Sequence, residues 1–565
     1  MKKISIIWLP AVFLLAALIA KGAENPLLSA AEKEMHRTMK ELYAEPVPPY
    51  YISYSITETK SNTLSASWGE IVSDDSDFRR LCDIDLRVGD YEFDNTHIIR
   101  GNAFNLSGGT MPTELPLSDD ENSIRTALWF ATDKTYKNAI ERYEKAKTNK
   151  AVKVAEEDTS ADFSREEPAK YFGDAKTIGF DKEKWKGVLK RLSAKFLDYP
   201  HIYSAMVNIT TELHNKNFIN TEDSKLSWYE TNCRITVYAK TKADDGMSLP
   251  LYETYFAFTP EGLPSEQEIA NDIDKMIKLF AELRTAPIAE TFSGPAILSG
   301  EASGVFFHEI FGHRVEGHRE KDPNSSQTFK ESVGKSILPN FIDVVFDPTR
   351  PELEGIALSG YYRFDDEGVE AQKVVSVDDG IFKSFLMSRS PIEGFPNSNG
   401  HGRKQAGFRA VSRQSNLIVQ AAKTDDIESL RDQLRKEAKK QDKEYGLYFE
   451  KVSGGFTFTN RTIPNAFNVM PLVVYKVYAD GRPDELVRGV DLIGTPLTTF
   501  SNIIAAGNDL GVFNGICGAE SGGVPVSACS PSLLVSEIEV QKKKKSQAKP
   551  PILPAPAINK SENSF

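Results

Sequence analysis

"VFFHEIFGHRVEGHR", residues 305–319, contains three of the chain's eight histidines. His308 and His313 enclose Glu309 in the pattern H-E-x-x-x-H, and His318 follows. Zinc sites on helices usually carry H-E-x-x-H, which places both histidines on one face. At about 100° per residue, a spacing of five residues turns His313 about 140° away from His308 on a regular helix. The stretch is therefore either an ordinary helix with solvated histidines or a metal site on a deformed helix.

The residues around this motif favour an enclosed site. The apolar run 304–307 precedes His308, so the histidines should be at least partly buried. Gly312 tolerates an irregular backbone, and a π-bulge there would widen one turn to i→i+5 bonding. That bulge would bring His308 and His313 back towards one face. Neutral imidazoles bind Zn²⁺ well, and a neighbouring glutamate can accept a proton from water at the metal.

A catalytic zinc site normally has a third protein ligand and one open position. His318, Glu316 and a distant cysteine are the candidates. Cys517 lies in "GVFNGICGAESGGVPVSACSPSLLV", residues 511–535, where glycines let the backbone come close to another element. A Cys517–Cys529 disulfide is the open alternative, because the four cysteines form an even set that permits disulfides in an oxidising compartment.

Composition limits the class of protein. The 565 residues include 80 acidic and 68 basic side chains, for a net charge of −12. Nucleic-acid binding needs a local basic excess, so the balance argues against that partner. A hydrophobic content of 40% and a charged content of 26% are ordinary for a globular protein, and the length suggests several domains.

The N-terminus has the pattern of a secretion signal. Lys2 and Lys3 precede a mostly apolar stretch, residues 4–20, and the small residues of Ala20-Lys21-Gly22 are spaced for cleavage before Ala23. We expect the chain to be exported to the periplasm or the extracellular space, with transient membrane contact through this segment. An uncleaved anchor is the alternative, although about seventeen apolar residues lie at the short edge of a spanning helix.

The hydrophobic pattern predicts an α+β fold with a strand-rich second half. Helical stripes recur around residues 28–42, 122–150, 185–196 and 269–280, the last opened by a capping box of Ser265 and Glu268. Strand patterns separate these helices. Residues 150–176 are polar and acidic, which predicts an exposed loop. After residue 290 strands dominate, with hairpin turns predicted at residues 378–380 and 480–481 and one helix opened by Thr424.

The motif stretch resembles the metal-binding helix of the TldD/PmbA metallopeptidases, also called modulators of DNA gyrase. Active members carry H-E-x-x-x-H and a later cysteine in a "G-x-C-G" loop, which reads "GICGAESGGVPV" here at residues 515–526. Three further segments resemble the family in the same order: "FDDEGVEAQKVVSVDDGIFKSFLMSR", "SNGHGRKQAGFRA" and "LVRGVDLIGTPLTTFSNIIAAGNDLG". The likeness covers residues 299–540, whereas the first half is similar only in layout.

The resemblance implies a site and an activity. His308, His313 and Cys517 would bind Zn²⁺, and Glu309 would be the general base. We separately expect His318 to lie outside the ligand set, because the two histidine ligands already use one helix face and Gly317 suggests that the helix is ending. The resemblance also implies hydrolysis of short or unfolded peptides in a homodimer or in a heterodimer with a related subunit. The expected divisions are a signal peptide (1–22), an N-terminal α+β domain (23–290), a C-terminal TldD-like metallopeptidase domain (291–540) and a disordered tail (541–565).

A non-enzymatic function is the alternative hypothesis. The chain would then be a secreted peptide-binding protein with a structural metal or a disulfide at Cys517. Metal content and peptide turnover distinguish the two hypotheses.

Overall fold

The computed structural model describes residues 25–99, 112–151, 158–460, 467–494, 500–543 and 549–551. The predicted signal peptide and most of the predicted tail lie outside these ranges. The fold is α+β, as the sequence predicts, with a second half rich in strands. None of the helices in these ranges combines the length and apolar character that crossing a membrane requires.

The first half builds one sheet with helices packed on it. The helices are α1 (Pro26–Leu42), α2 (Glu121–Ala151), α3 (Lys182–Ala194) and α4 (Glu266–Thr285), and the strands are β1 (Pro49–Ser67), β2 (Glu70–Val88), β3 (Thr113–Glu114), β4 (Lys170–Phe172), β5 (Ser204–Asn220), β6 (Lys225–Lys242) and β7 (Ser248–Ala257). The sheet order is β3-β2-β1-β5-β6-β4, with β7 also paired to β6. Alternation on β1 explains the packing, because Ile52, Tyr54 and Ile56 meet α1 and α2, and Leu64 meets α3.

The predicted helices of this half are confirmed, and so is the capping box. The Ser265 side chain accepts a hydrogen bond from the Glu268 backbone N–H, and the Glu268 carboxylate accepts one from the Ser265 backbone N–H. The stripe that follows, including Ile269, Ile273 and Phe280, is fully buried. Local signals sufficed here because periodicity and capping both act within a few residues.

The prediction that residues 150–176 form an exposed loop was wrong for part of this segment. Asp162, Phe163 and Ser164 are buried. The Phe163 ring lies between two guanidinium groups, with the Cζ of Arg87 at 3.5 Å and that of Arg389 at 3.8 Å from its centroid. Arg389 also donates hydrogen bonds to the Ser164 carbonyl. The polar composition was misleading because partners distant in the sequence neutralise these charges.

The described residues of the second half form two large sheets and two small two-stranded sheets. Its helices are α5 (Gly300–Ile310), α6 (His318–Lys321) and α7 (Ile427–Lys440), and its strands are β8 (Phe292–Leu298), β9 (Ile342–Phe346), β10 (Glu352–Leu353), β11 (Ile356–Ala357), β12 (Val374–Asp378), β13 (Ile381–Phe382), β14 (Gly402–Arg403), β15 (Val411–Ser412), β16 (Asn416–Ala421), β17 (Tyr445–Thr457), β18 (Phe467–Tyr478), β19 (Glu485–Val487), β20 (Val490–Gly494), β21 (Ile503–Ala506), β22 (Gly511–Ala519), β23 (Gly522–Ser530) and β24 (Leu533–Lys542). One large sheet has the order β13-β12-β9-β16-β23-β22, and the other has the order β17-β8-β24-β20-β18-β19 with β21 paired to β24. The two small sheets are β10–β11 and β14–β15.

Several local predictions for this half can be compared with the structure. The turn at residues 378–380 joins β12 to β13, and the turn at 480–481 lies between the paired strands β18 and β19, so both hairpins are confirmed. Helix α7 is capped by Asp426 rather than opened by Thr424, because the Asp426 side chain accepts the Ser429 backbone N–H. Strand β24 ends at Lys542, two residues past the expected end of the metallopeptidase domain at residue 540.

Helix α5 lies between the two large sheets of the second half. It packs against β17 and β18 of one sheet and against β16, β22 and β23 of the other. Residues 302–310 are all buried, which explains a sequence that is apolar on every side. A Cβ on Gly304 would lie 2.7 Å from the Ala528 carbonyl oxygen, so only glycine lets β23 come this close. The fold thereby brings the H-E-x-x-x-H helix beside the strand pair β22–β23.

Candidate metal centre

The two histidines of the motif come together at the end of α5. The helix ends at Ile310, where the Phe311 N–H still bonds to the Phe307 carbonyl at 3.0 Å, and a 3₁₀ turn follows at Gly312–Arg314. The predicted π-bulge is therefore wrong, since the chain leaves the helix before His313 instead of widening it. The two imidazole rings nevertheless lie close together, with the His308 and His313 ring centroids 5.0 Å apart.

Gly312 is needed for a different reason from the one that the sequence suggested. A Cβ at this position would lie 1.9 Å from the side-chain oxygen of Gln414. The same Gln414 amide donates a hydrogen bond to the His308 carbonyl at 3.2 Å. The glycine thus admits a side chain that binds the end of α5, and the turn towards His313 forms around it.

Cys517 completes a group of three. It lies on β22, and its Sγ is 3.4 Å from Nε2 of His313. The potential ligand atoms of His308, His313 and Cys517 all lie within 4.8 Å of one another, and no other such group of His, Cys, Asp and Glu occurs in the described parts of the chain. Two imidazoles and one thiol are donors typical of zinc sites. The fold therefore brings together, from opposite ends of the second half, the three residues that the sequence proposed as ligands.

The alternative of a Cys517–Cys529 disulfide does not fit this fold. Cys517 pairs with Val524 and Cys529 pairs with Val512 in the β22–β23 ladder. The two cysteines are therefore five residues apart along the strands, or roughly 17 Å at about 3.4 Å per residue. A disulfide needs Cα atoms about 4.4–6.8 Å apart. All four cysteines are free and buried.

The electrostatics of the site favour a thiolate. Burial alone would raise the pKa of Cys517, but the imidazoles of His313 and His308 hold it well below its ordinary value. Burial alone would lower the pKa of His313, but Cys517 and Glu316 raise it well above its ordinary value. These opposite shifts of the two pKa values favour a thiolate beside an imidazolium. A divalent cation in the same place would replace the proton as the partner of the thiolate.

Glu309 faces the same space without being close enough to join the ligand group. Its side chain is buried, and its Oε2 atom has no hydrogen-bond partner among the residues that the structure describes. Burial raises the pKa of this carboxyl group above its ordinary value, although the nearby His308 and His313 oppose the shift. A buried carboxylate oxygen without a partner costs free energy. Such a group is suited to accept a proton from a molecule bound in the cavity.

The cavity at this site has a volume of about 460 Å³ and is lined by the three candidate ligands and Glu309. Apolar side chains lie at its mouth, where Ile516 is 65% exposed and Phe456 is 44% exposed. Arg319 and Glu520 also line it and pair with each other at 2.9 Å. The site thus combines a polar floor with partly apolar walls.

Glu316 and His318, the other candidate ligands, have different places. Glu316 is fully buried, and its carboxylate accepts a hydrogen bond from Nδ1 of His313 at 3.2 Å, on the ring edge opposite Cys517. Burial alone would raise the pKa of Glu316, but His313 and Arg319 lower it to about 2. The Nε2 atom of His318 donates to the Glu520 carboxylate, away from the group of three. Sequence reasoning missed Gln414, Glu520 and the contact of Glu316 with His313.

Comparison with known proteins concerns the same segment of the chain. A family model described as the PmbA/TldA metallopeptidase C-terminal domain matches residues 291–542. Residues 291–542 are therefore similar to the C-terminal domain of the TldD/PmbA metallopeptidases. This segment includes all three candidate ligands and Glu309, so the family relationship and the site geometry concern the same part of the molecule.

Individual relatives and structures extend the comparison. A metalloprotease of Archaeoglobus fulgidus is 30% identical over 274 residues, 48% of this chain and 58% of its own length. The match therefore spans little more than half of that relative's length. A zinc metalloprotease TldD homolog of Saccharolobus solfataricus is 23% identical over 350 residues, 60% of this chain and 72% of its own length. TldE from Thermococcus kodakarensis shares the fold, with a TM-score of 0.58, 13% identity and coverage of 91% of this chain and 100% of that one.

Proposed function

We propose that this protein is a zinc metallopeptidase that hydrolyses peptide bonds of short or unfolded peptides. The observation that carries the proposal is the pairing of two separate features on one cavity. Two imidazoles and a thiol have their ligand atoms within 4.8 Å of one another. A buried carboxylate, Glu309, borders the same cavity and has an oxygen without a partner. A purely structural metal site needs the first feature but has no use for the second.

The residues present fit zinc. His308, His313 and Cys517 would hold the ion, leaving a fourth position for water or substrate, as in catalytic zinc sites. The name of the Saccharolobus relative supports the choice of this metal. When bound, Zn²⁺ acts as a Lewis acid that activates water and polarises the carbonyl of the scissile bond.

Glu309 would carry the proton. Its unpartnered Oε2 accepts a proton from the attacking water, and the resulting carboxylic acid donates it to the nitrogen of the leaving amine. The buried position suits this task, since burial raises the pKa of Glu309 towards neutral pH. Glu309 is therefore proposed as base and acid, and the three ligands are proposed to hold the metal.

The walls of the cavity support a peptide as the substrate. The exposed side chains of Ile516 and Phe456 would contact apolar side chains of a bound peptide. Arg319 and Glu520 neutralise each other, so neither presents an uncompensated charge to the cavity. A folded protein could not bring its backbone to a buried Glu309, which is why we propose short or unfolded chains.

We further propose export and pairing. The Lys2–Gly22 pattern supports secretion to the periplasm or the extracellular space, and sequencing the N-terminus of protein recovered from cell fractions tests it: a chain starting at Ala23 is expected, and one starting at Met1 would indicate an anchor. The fold shared with TldE supports a dimer, formed either by two copies of this chain or with a related subunit. Light scattering of the purified protein, alone and after co-purification, distinguishes these two dimers from a monomer.

Metal analysis and peptide turnover of purified protein test the main proposal. Wild-type protein should contain about one zinc per chain and hydrolyse unfolded peptides, as a three-ligand catalytic site does. Protein that binds peptides and zinc but never cleaves them would favour the non-catalytic alternative. Protein without zinc would remove the proposed mechanism altogether.

A further inference from the structure

Glu316 lies between the two segments that supply the candidate ligands. It follows the 3₁₀ turn at Gly312–Arg314 and precedes α6, and its side chain is 0% exposed. A carboxylate that is fully withdrawn from water is costly unless charged partners surround it. Its partners are His313, Arg319 and Arg413, which come from both sides of the site.

The first contact concerns His313. Glu316 Oε2 lies 3.2 Å from Nδ1 of the ring, and Nε2 on the opposite edge lies 3.4 Å from the Cys517 sulfur. A carboxylate at Nδ1 keeps a proton there and leaves Nε2 as the nitrogen that can bind a metal. It also fixes the rotation of the ring, as outer partners of metal-binding histidines commonly do.

The second contact reaches the strand pair that carries Cys517. The Arg413 guanidinium lies 3.4 Å from Glu316 Oε1 and donates to the Cys517 carbonyl at 2.6 Å. It also donates to the Ser521 hydroxyl at 2.7 Å and to the Gly522 carbonyl at 3.0 Å. Arg413 is 0% exposed, so these bonds are protected from water. Glu316 therefore reaches the backbone of one ligand through Arg413 and the ring of the other directly.

The third contact joins Glu316 to the tip of the same strand pair. Arg319 donates to Glu316 Oε2 at 2.8 Å and to Glu520 Oε2 at 2.9 Å. Glu520 in turn pairs with His318. Glu520 thus belongs to the same buried charge network, but none of its contacts reaches His308, His313 or Cys517.

We infer that Glu316 is a positioning residue that aligns His313 and Cys517, two ligands 204 residues apart, for a common metal ion. The inference rests on the proposed function for the identity of the metal, but it concerns metal affinity and not turnover. Glu316 acts through His313 and Arg413 and is expected to touch neither substrate nor metal.

The test compares Glu316→Gln with Glu520→Gln in the full-length protein. Zinc affinity is measured by competition with a chromophoric chelator, and folding is measured by thermal unfolding of the metal-free protein. Glu316→Gln should bind zinc about 10–100-fold more weakly, the usual effect of losing an outer partner of a ligand. Glu520→Gln, which removes a carboxylate from the same network, should lower thermal stability and leave zinc affinity near the wild-type value.

Two results would overturn the inference. Wild-type zinc affinity in Glu316→Gln would show that the carboxylate does not align the ligands. An equal loss of affinity in both variants would show that only the charge balance of the network matters. Wild-type protein that binds no zinc would instead overturn the proposed function, so the two failures are distinguishable.

A spectroscopic measurement on wild-type protein covers the case in which Glu316→Gln does not fold. In zinc-loaded protein labelled with ¹⁵N-histidine, His313 should show a protonated Nδ1 and a metal-bound Nε2. Metal bound through Nδ1 of His313 would contradict the contact with Glu316 and overturn the inference.

Discussion

The two ends of the β22–β23 strand pair place the same residue type in opposite environments. Cys517 lies near the turn between the strands, in contact with His313 and lining the cavity. Cys529 lies at the far end, packed with Leu358 and Ile418. The histidines hold the pKa of Cys517 well below its ordinary value, whereas burial raises the pKa of Cys529 to about 12. The difference shows that neighbours from other elements decide the chemistry of a cysteine.

Replacing Cys517 and Cys529 in turn by serine should give the largest difference in effect between the two ends of the strand pair. Cys517→Ser removes a proposed ligand, so zinc affinity should fall by more than the ~10²-fold that losing an outer partner costs. Peptide turnover should fall with it. Cys529→Ser should keep both zinc and turnover. It should lose about 1–3 kcal/mol of stability, because the serine hydroxyl would be buried among apolar side chains without a hydrogen-bond partner. Metal analysis, peptide turnover and thermal unfolding measure these effects in the two variants. Loss of zinc in both variants would contradict the proposed difference between Cys517 and Cys529.

Glu309→Gln tests whether the metal end of the strand pair serves catalysis. Glutamine keeps the shape of the side chain but cannot accept the proton, so kcat should fall by at least ~10²-fold, the usual scale for a positioned base. Zinc should remain bound, since Glu309 is outside the ligand group. Steady-state kinetics and metal analysis measure both quantities. Near-normal turnover would exclude Glu309 from the mechanism, and loss of zinc would make it a ligand.

Alkylation of the metal-free protein should show the contrast between the thiols directly. Iodoacetamide reacts with thiolates, so at neutral pH it should modify Cys517, which lines the cavity, and leave Cys529 intact. Zinc should protect Cys517. Peptide mapping by mass spectrometry gives the modified fraction at each position. Equal labelling of both cysteines in folded protein would contradict the electrostatic difference described above.

His318→Ala should have the smallest effect on the metal. His318 pairs with Glu520 and lies outside the group of three, so zinc should remain stoichiometric. A modest loss of stability is expected because a buried carboxylate loses one partner. The His308→Ala variant, analysed for metal in parallel, is the control and should lose its zinc. Equal zinc loss in the two variants would place His318 among the ligands and Cys517 outside them.

The sequence predicted much of the fold, but with uneven success. Helices with a clear apolar stripe, such as α4 with its Ser265 cap, formed where they were expected. The segment containing Phe163 was misjudged, because its burial depends on Arg87 and Arg389, which approach from other strands and loops. Composition reports the average exposure of a segment and cannot show that an ion pair or a stacked guanidinium encloses it.

The candidate site shows the same division between what the sequence predicts and what the tertiary structure decides. The sequence by itself determined which residues had the chemistry: two histidines and a glutamate in one short stretch, and a cysteine among glycines. Only the tertiary structure decided that α5 ends at Ile310, that His313 turns towards Cys517 and that Glu316 lies behind the ring. Periodicity and capping act within one or two turns of chain. The close approach of His313 and Cys517, 204 residues apart, depends on two sheets packed around one buried helix, which no local pattern encodes.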